Sequence, residues 1–213
     1  IGFAQDPDAD RLVIFDENGQ FIGEDYSLGF CIDYLLSIST SPKSVVVNCS
    51  TSLVIADIAE MHGATIHYTK IGETHVSQKI RSENASVGGE GNGGVIYPKV
   101  GWGRDSLTGI VVALRHLAER KESVSQIVSR YPDYTLLRKK KALKSRSEVE
   151  ETLERVRTQY ADQNYDQVDG LKIHLDRSWI HVRPSNTEPI MRCFIEAPTE
   201  EEAEALFAAL PFE

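Results

Sequence analysis

Asp6, Asp8 and Asp10 alternate with Pro7 and Ala9, so a tight loop through them brings three carboxylates to one point. Like charges gathered in that way call for a cation. Hard oxygen donors separated by small residues suit Mg²⁺, which takes a few carboxylates and completes its shell with water or phosphate. An acidic surface turn with nothing bound is the plain alternative. A calcium loop of the EF-hand type begins with the same alternation and wants Glu at its twelfth position, where Glu17 falls. Its sixth position, however, is Arg11 rather than Gly, and the apolar run of residues 12–15 occupies its second half.

A second constellation, VRPSNTEPIMR at residues 182–192, has the opposite charge. A phosphate monoester is best held by Arg forks together with short neutral donors, and Arg183, Ser185, Asn186, Thr187 and Arg192 supply both. Pro184 and Pro189 stiffen the segment so that its backbone N–H groups can face an anion. The third constellation is GGEGNGGVIYP at residues 88–98, with five glycines among residues 88–94. Glycine lets the backbone approach a ligand closely, and Glu90 and Asn92, two apart, can hydrogen-bond vicinal hydroxyls of a sugar ring. Lys70, Gly72 and His75 fall where a strand hands over to a helix, a usual place for ligand contacts in open α/β sheets, although a Lys and a His there also fit an ordinary surface.

The elements that must position these residues follow from periodicity. Residues 12–15 and 20–23 flank an Asn-Gly pair and read as a hairpin. Helical spacing is predicted over residues 25–38, 52–62, 73–82 and 106–120, the last capped by Asp105, with strands at 44–48, 64–69, 86–89 and 95–97. That alternation describes an open parallel α/β sheet. After a short helix and the punctuation of Pro132 and Asp133, the rhythm changes to strands at 134–143, 170–175, 179–182 and 191–196, with helices at 147–160 and 200–210. This is an α+β layout with an antiparallel sheet. The expected divisions are residues 1–38 as the tail of a further α/β domain, 39–122 as the α/β domain, 123–133 as a linker and 134–213 as the α+β domain. A chain that opens on Ile1 and a short strand, with the acidic motif almost at once, reads as part of something longer.

Composition narrows the partners. The 213 residues carry a formal charge of −9, with 32 acidic against 23 basic side chains, which disfavours nucleic acid as a partner. No apolar run approaches the length of a membrane span, and a cytoplasmic location is expected. Cys31, Cys49 and Cys193 are widely spaced among apolar neighbours and are expected to be buried and reduced. The basic run at residues 138–141 reads as a solvated face.

In order, DPDADR at Asp6, GGEGNGGVIYP at Gly88, GRD at Gly103 and RPSNTEPIMR at Arg183 resemble the motifs of the α-D-phosphohexomutases, which include phosphoglucomutase, phosphomannomutase and phosphoglucosamine mutase. The resemblance covers the whole chain. It implies the end of domain 2, all of domain 3 and all of domain 4 of a four-domain isomerase. Such an enzyme interconverts hexose 1-phosphate and 6-phosphate through a phosphoserine and a hexose bisphosphate. It implies Mg²⁺ on Asp6, Asp8 and Asp10, with Arg11 in a supporting catalytic role. Glu90 and Asn92 would lie on the sugar hydroxyls, and Arg183, Ser185, Asn186, Thr187 and Arg192 on the phosphate that is not transferred. The serine loop of domain 1 lies outside these residues, so the chain alone is expected to be inactive and its partners are the missing N-terminal domains. Several bacterial members have His where this chain has Gly94, so no acid–base role carries over to that position. A non-enzymatic phosphosugar-binding module and a calcium-binding structural domain are the competing readings.

Overall fold

Gly2–Gln5 (β1) and Leu12–Phe15 (β2) pair antiparallel, from Gly2 opposite Phe15 to Gln5 opposite Leu12, which makes the acidic run the closing loop of a hairpin. The structure is a computed structural model that describes residues 1–40, 42–185 and 188–212. It corrects the hairpin expected from residues 12–23. Asp16 Oδ1 accepts the amides of Asn18 and Gln20 at 2.8 Å and forms the turn, but the returning arm is reduced to one bridge between Phe15 and Phe21. The reason is Gly23, whose positive φ of 98° turns the chain directly into helix α1 (Glu24–Ser37).

The chain forms two compact units, residues 1–132 and 133–213. In the first, β3 (Ser44–Asn48), α2 (Val54–Met61), β4 (Thr65–Thr69), α3 (Glu73–Glu83), β5 (Val87–Glu90), β6 (Gly94–Ile96), α4 (Ser106–Arg120) and α5 (Val124–Val128) follow in order. The sheet order is β4-β3-β5-β6. Val45, Val46 and Val47 are fully buried, as expected of a strand covered on both faces. The three strands joined through helices are parallel, but β6 runs antiparallel to β5, because the short glycine turn between them cannot make a crossover. Gly88 and Gly89 face opposite sides of β5. A β-carbon on Gly88 would lie 2.6 Å from Ile80 of α3, and one on Gly89 would lie 2.5 Å from Leu28 of α1. Both helix layers therefore close down on this strand, which leads directly into Glu90.

Helix α1 packs on α2, α4 and β5 and is buried around most of its circumference, so the packing shows no break at the expected boundary after residue 38. Its buried Asp33 receives Tyr131 Oη at 2.8 Å and pairs with His62 Nε2 at 2.6 Å. Residues expected to serve as a linker thereby join the first unit's core, along with Val124 and Ile127.

The second unit contains β7 (Thr135–Ala142), α6 (Arg146–Gln159), β8 (Asn164–Asp166), β9 (Leu171–Leu175), β10 (Ser178–Pro184), β11 (Ile190–Ala197) and α7 (Glu200–Ala208). Its five strands are ordered β7-β11-β10-β9-β8, every pair antiparallel. β8, a short polar strand, was not anticipated. Val149 and Val156 of α6 and Ala203 of α7 pack with Ile180, Val182, Met191, Cys193 and Ile195 in one apolar cluster. One face of the sheet is thus covered by both helices. All three cysteines are buried and none forms a disulfide, and burial pushes the Cys31 and Cys193 thiols up to about 12. Among the described residues, no helix is long and apolar enough to cross a membrane.

Candidate functional site

The loop joining β1 to β2 is shaped by its own first aspartate. Asp6 Oδ1 accepts the amides of Asp10 at 3.2 Å and Arg11 at 3.1 Å, and Ala9 takes a left-handed conformation with φ 57°. As a result, ligand oxygens of Asp6, Asp8 and Asp10 lie within 4.8 Å of one another. Arg11 Nε sits 3.3 Å from Asp6 Oδ2 and 3.5 Å from Asp10 Oδ1, offsetting part of their charge. Burial raises the Asp10 carboxyl above its ordinary value, and Asp6 and Asp8 push the same way against the pull of Arg104. Asp6 moves in the opposite direction. Burial would raise it, but the amides of Arg11 and Asp10 and the Arg11 charge hold it below the usual carboxylate value.

These residues fit a hard cation. The donor set is entirely carboxylate oxygen, and Asp10 Oδ1 is buried without a hydrogen-bond partner among the described residues, with only the ion pair to Arg11 Nε at 3.5 Å facing it. They do not fit the EF-hand pattern. Glu17 faces away to the start of α5, where it accepts the Ser125 amide at 3.3 Å and the Ser125 hydroxyl.

The glycine loop adjoins the acidic loop. Leu12 N donates to Gly93 O at 3.1 Å, and Ser106, at the start of α4, donates its amide to Ala9 O at 3.2 Å and its hydroxyl to the same oxygen at 2.6 Å. Glu90 is 3 % exposed. Its Oε1 accepts Asn48 Nδ2 at 2.7 Å and the Gly72 amide at 2.8 Å, while its Oε2 accepts Arg104 Nη1 at 2.8 Å. A carboxylate offers about four acceptor positions, so Glu90 is oriented by these three bonds, which leave one position on Oε2 for a further donor. Asn92 is half-buried and accepts the Gly94 amide at 3.3 Å. The Gly72 amide is thus committed to Glu90, whereas Lys70 is exposed and lines a shallow hollow with His75 and Lys79.

The residue that joins these parts is Arg104, to which the sequence analysis gave no role beyond the GRD motif. Its Nη2 bonds Asp10 Oδ2 and its Nη1 bonds Glu90, while Nε and its own amide both reach Glu73 Oε2 at 3.1 Å. The neighbouring Asp105 caps α4, accepting Leu107 N at 2.9 Å. Gly94 makes room for the arginine, since a β-carbon there would lie 2.2 Å from Arg104 Cδ.

In the second unit the cationic run is a hairpin connection. Arg183 on β10 stands opposite Arg192 on β11, and Arg192 stands opposite Lys140 on β7. Directly paired residues share a face, so the three cations form a row across three strands. The adjacent row, Val182 and Cys193, lies in the helix-covered core, which places the cations on the other face. Like charges placed opposite one another disfavour the sheet unless an anion lies between them. Arg183 Nε pairs with Asp169 Oδ1 at 3.0 Å, and Arg192 is exposed. Ser185 N donates to Ile190 O at 2.9 Å, closing the hairpin. Asn186 and Thr187 lie outside the described residues. Lys140 was passed over in the basic run, and strand register is what brings it here.

Residues 23–134 match the family model described as phosphoglucomutase/phosphomannomutase, alpha/beta/alpha domain III, and residues 137–210 match that family's C-terminal domain. The chain belongs to the phosphoglucomutase/phosphomannomutase family. A Methanopyrus kandleri relative named "Probable phosphoglucosamine mutase" is 35% identical over 209 residues, 97% of this chain and 46% of that protein. A Burkholderia thailandensis phosphoglucomutase/phosphomannomutase family protein superimposes with a TM-score of 0.78 at 22% identity, over 97% of this chain and 44% of the other. The Aspergillus fumigatus N-acetylphosphoglucosamine mutase, solved in complex with GlcNAc-6P and magnesium, superimposes with a TM-score of 0.68 at 15% identity, over 98% of this chain and 47% of the other. The chain therefore spans less than half the length of these phosphohexomutase relatives.

Proposed function

We propose that this chain supplies the cation-, sugar- and phosphate-binding groups of a Mg²⁺-dependent phosphohexose mutase. The whole enzyme would interconvert hexose 1-phosphate and hexose 6-phosphate through a phosphoserine and a hexose bisphosphate, and these 213 residues alone would not turn over. The observation that carries the reading is the convergence of Asp6, Asp8 and Asp10 beside Glu90, tied through one arginine. The named ligands of the Aspergillus relative, an aminosugar phosphate and magnesium, are of the class these residues suit.

Bound at the aspartates, Mg²⁺ would supply charge stabilisation for a transferring phosphoryl group. Arg11 adds a guanidinium at the rim of the same loop. Glu90 and Asn92 orient the ring through its hydroxyls. Arg183, Ser185 and Arg192, with Asn186 and Thr187 assigned from the motif, hold the phosphate that stays in place, and Lys140 extends the row. Fixing one end while the other reacts is a positioning contribution, and neutral donors beside the arginines let the clamp accept either end of a bisphosphate.

The test is calorimetry of the chain with glucose 1,6-bisphosphate in the presence and absence of Mg²⁺, followed by an assay of glucose 1-phosphate isomerisation. Binding without turnover is expected, with turnover appearing when the remaining part of a full-length protein is supplied. Absence of bisphosphate binding contradicts the proposal.

A further inference from the structure

We propose that Arg104 is a positioning residue that couples cation binding at Asp10 to sugar binding at Glu90, so that each ligand strengthens the other. The inference rests on reading the aspartate loop as the cation site and the glycine loop as the sugar site. Its support is geometric. A guanidinium is planar and rigid, so one terminal nitrogen on Asp10 Oδ2 and the other on Glu90 Oε2 fix the two carboxylates relative to each other. The remaining nitrogen, Nε, and the Arg104 amide are anchored on Glu73 Oε2, both at 3.1 Å. The fork is therefore held in place independently of the two loops it joins.

Two further observations bear on the role. With Oδ2 committed to Arg104, the other oxygen of Asp10, buried, without a hydrogen bond among the described residues and 3.5 Å from Arg11 Nε, is the one available to a cation beside Asp6 and Asp8. A partner that orients a metal ligand from behind commonly changes metal affinity by about 10–100-fold when removed. The Arg104 side chain is only 14% exposed and its stem crosses the α-carbon of Gly94, where any β-carbon would displace it. One arginine faces three carboxylates, of Asp10, Glu90 and Glu73, so the cluster stays net negative toward an incoming cation. Without it, Glu90 keeps its Oε1 bonds to Asn48 and Gly72, but Asp10 loses the group that fixes its Oδ2 and the two carboxylates repel one another.

Coupling of this kind is reciprocal, so the bisphosphate and the cation must change each other's affinity by the same factor. The experiment is a Mn²⁺ titration followed by electron paramagnetic resonance, on the chain with and without glucose 1,6-bisphosphate. Its converse is a calorimetric titration of the bisphosphate with and without Mn²⁺. The unsubstituted chain is expected to show a coupling factor within about 5–150-fold. Arg104→Gln should lower that factor to what the cation's own attraction for the phosphoryl group supplies, and weaken Mn²⁺ binding alone by about 10–100-fold. Gly94→Ala, which keeps the arginine but displaces its stem, should lower the factor in the same way. Arg104→Lys, which keeps the charge without the fork, should not restore it. Coupling that is undiminished in folded Arg104→Gln and Gly94→Ala chains overturns the role of Arg104 and leaves the functional reading standing. An unsubstituted chain that binds Mn²⁺ but no bisphosphate overturns the sugar reading, and the coupling with it.

Discussion

The two units handle charge in opposite ways. In the first, carboxylates of Asp10, Glu73 and Glu90 converge on one largely buried arginine, so the site is held together before any ligand arrives. In the second, Arg183, Arg192 and Lys140 stand side by side across three strands, with Asp169 paired to Arg183 at one end of the row. A cluster in which opposite charges are bonded to one another is costly to break, whereas an aligned row of like charges mildly opposes folding and is relieved by an anion. Substitutions should therefore affect stability in the first unit and affinity in the second.

The largest effect is expected from Glu90→Ala. It leaves Arg104 short of a buried partner and Asn48 Nδ2 and the Gly72 amide without an acceptor, which should cost about 3–5 kcal/mol of the first unit's stability in denaturant titration. A full-sized loss there with the second unit's transition unmoved sharpens the comparison; no loss breaks it. Arg183→Ala comes next. Removing a charge-assisted fork should lower phosphosugar affinity by about 1.5–3 kcal/mol in calorimetry, with an unchanged melting curve. Lys140→Ala should be weaker, about 0.2–1 kcal/mol, and should fade as salt is raised, because an exposed cation is screened.

The smallest effect concerns Glu17, whose carboxyl is lowered to about 2 from an ordinary 4.5, first by the Ser123 side chain and then by that of Ser125. A depressed carboxylate stabilises the fold above its unfolded value and loses that contribution as pH falls through the folded one. The protection factor of the Ser125 amide, corrected for the intrinsic pH dependence of exchange, should therefore fall between pH 4.5 and about 2 in the parent, and Glu17→Gln should already show reduced protection at neutral pH. The change should leave Mg²⁺ binding unaltered, whereas the calcium-loop reading requires loss of the cation.

Much of this was legible in the sequence for physical reasons that differ between elements. Helix α4 and its Asp105 cap, the valine-rich β3 and the alternating β10 and β11 follow local rules of capping and periodicity. The aspartate and arginine motifs concentrate their chemistry within a few neighbouring residues. Arg104 could not be assigned in this way, because its partners at positions 10, 73 and 90 are brought together only by tertiary folding. Gly94, which opens β6 and leaves the space that the Arg104 stem fills, was the available signal. Lys140 was obscured by its charged neighbours. Strand alternation sends Lys139 toward Glu204 on the helix-covered side, at 2.6 Å, and Lys140 toward Arg192 on the other. The hairpin over residues 12–23 was misread because an Asn-Gly turn fixes a reversal of direction but does not supply a second arm long enough to pair.

The most direct measurement is a crystal structure of the chain grown with Mg²⁺ and glucose 1,6-bisphosphate. The account predicts a phosphate bonded to Arg183, Ser185 and Arg192 with Lys140 at its edge, and a cation ligated by Asp6, Asp8 and Asp10. Bisphosphate bound elsewhere, with the arginine hairpin and the aspartate loop both empty, would contradict it.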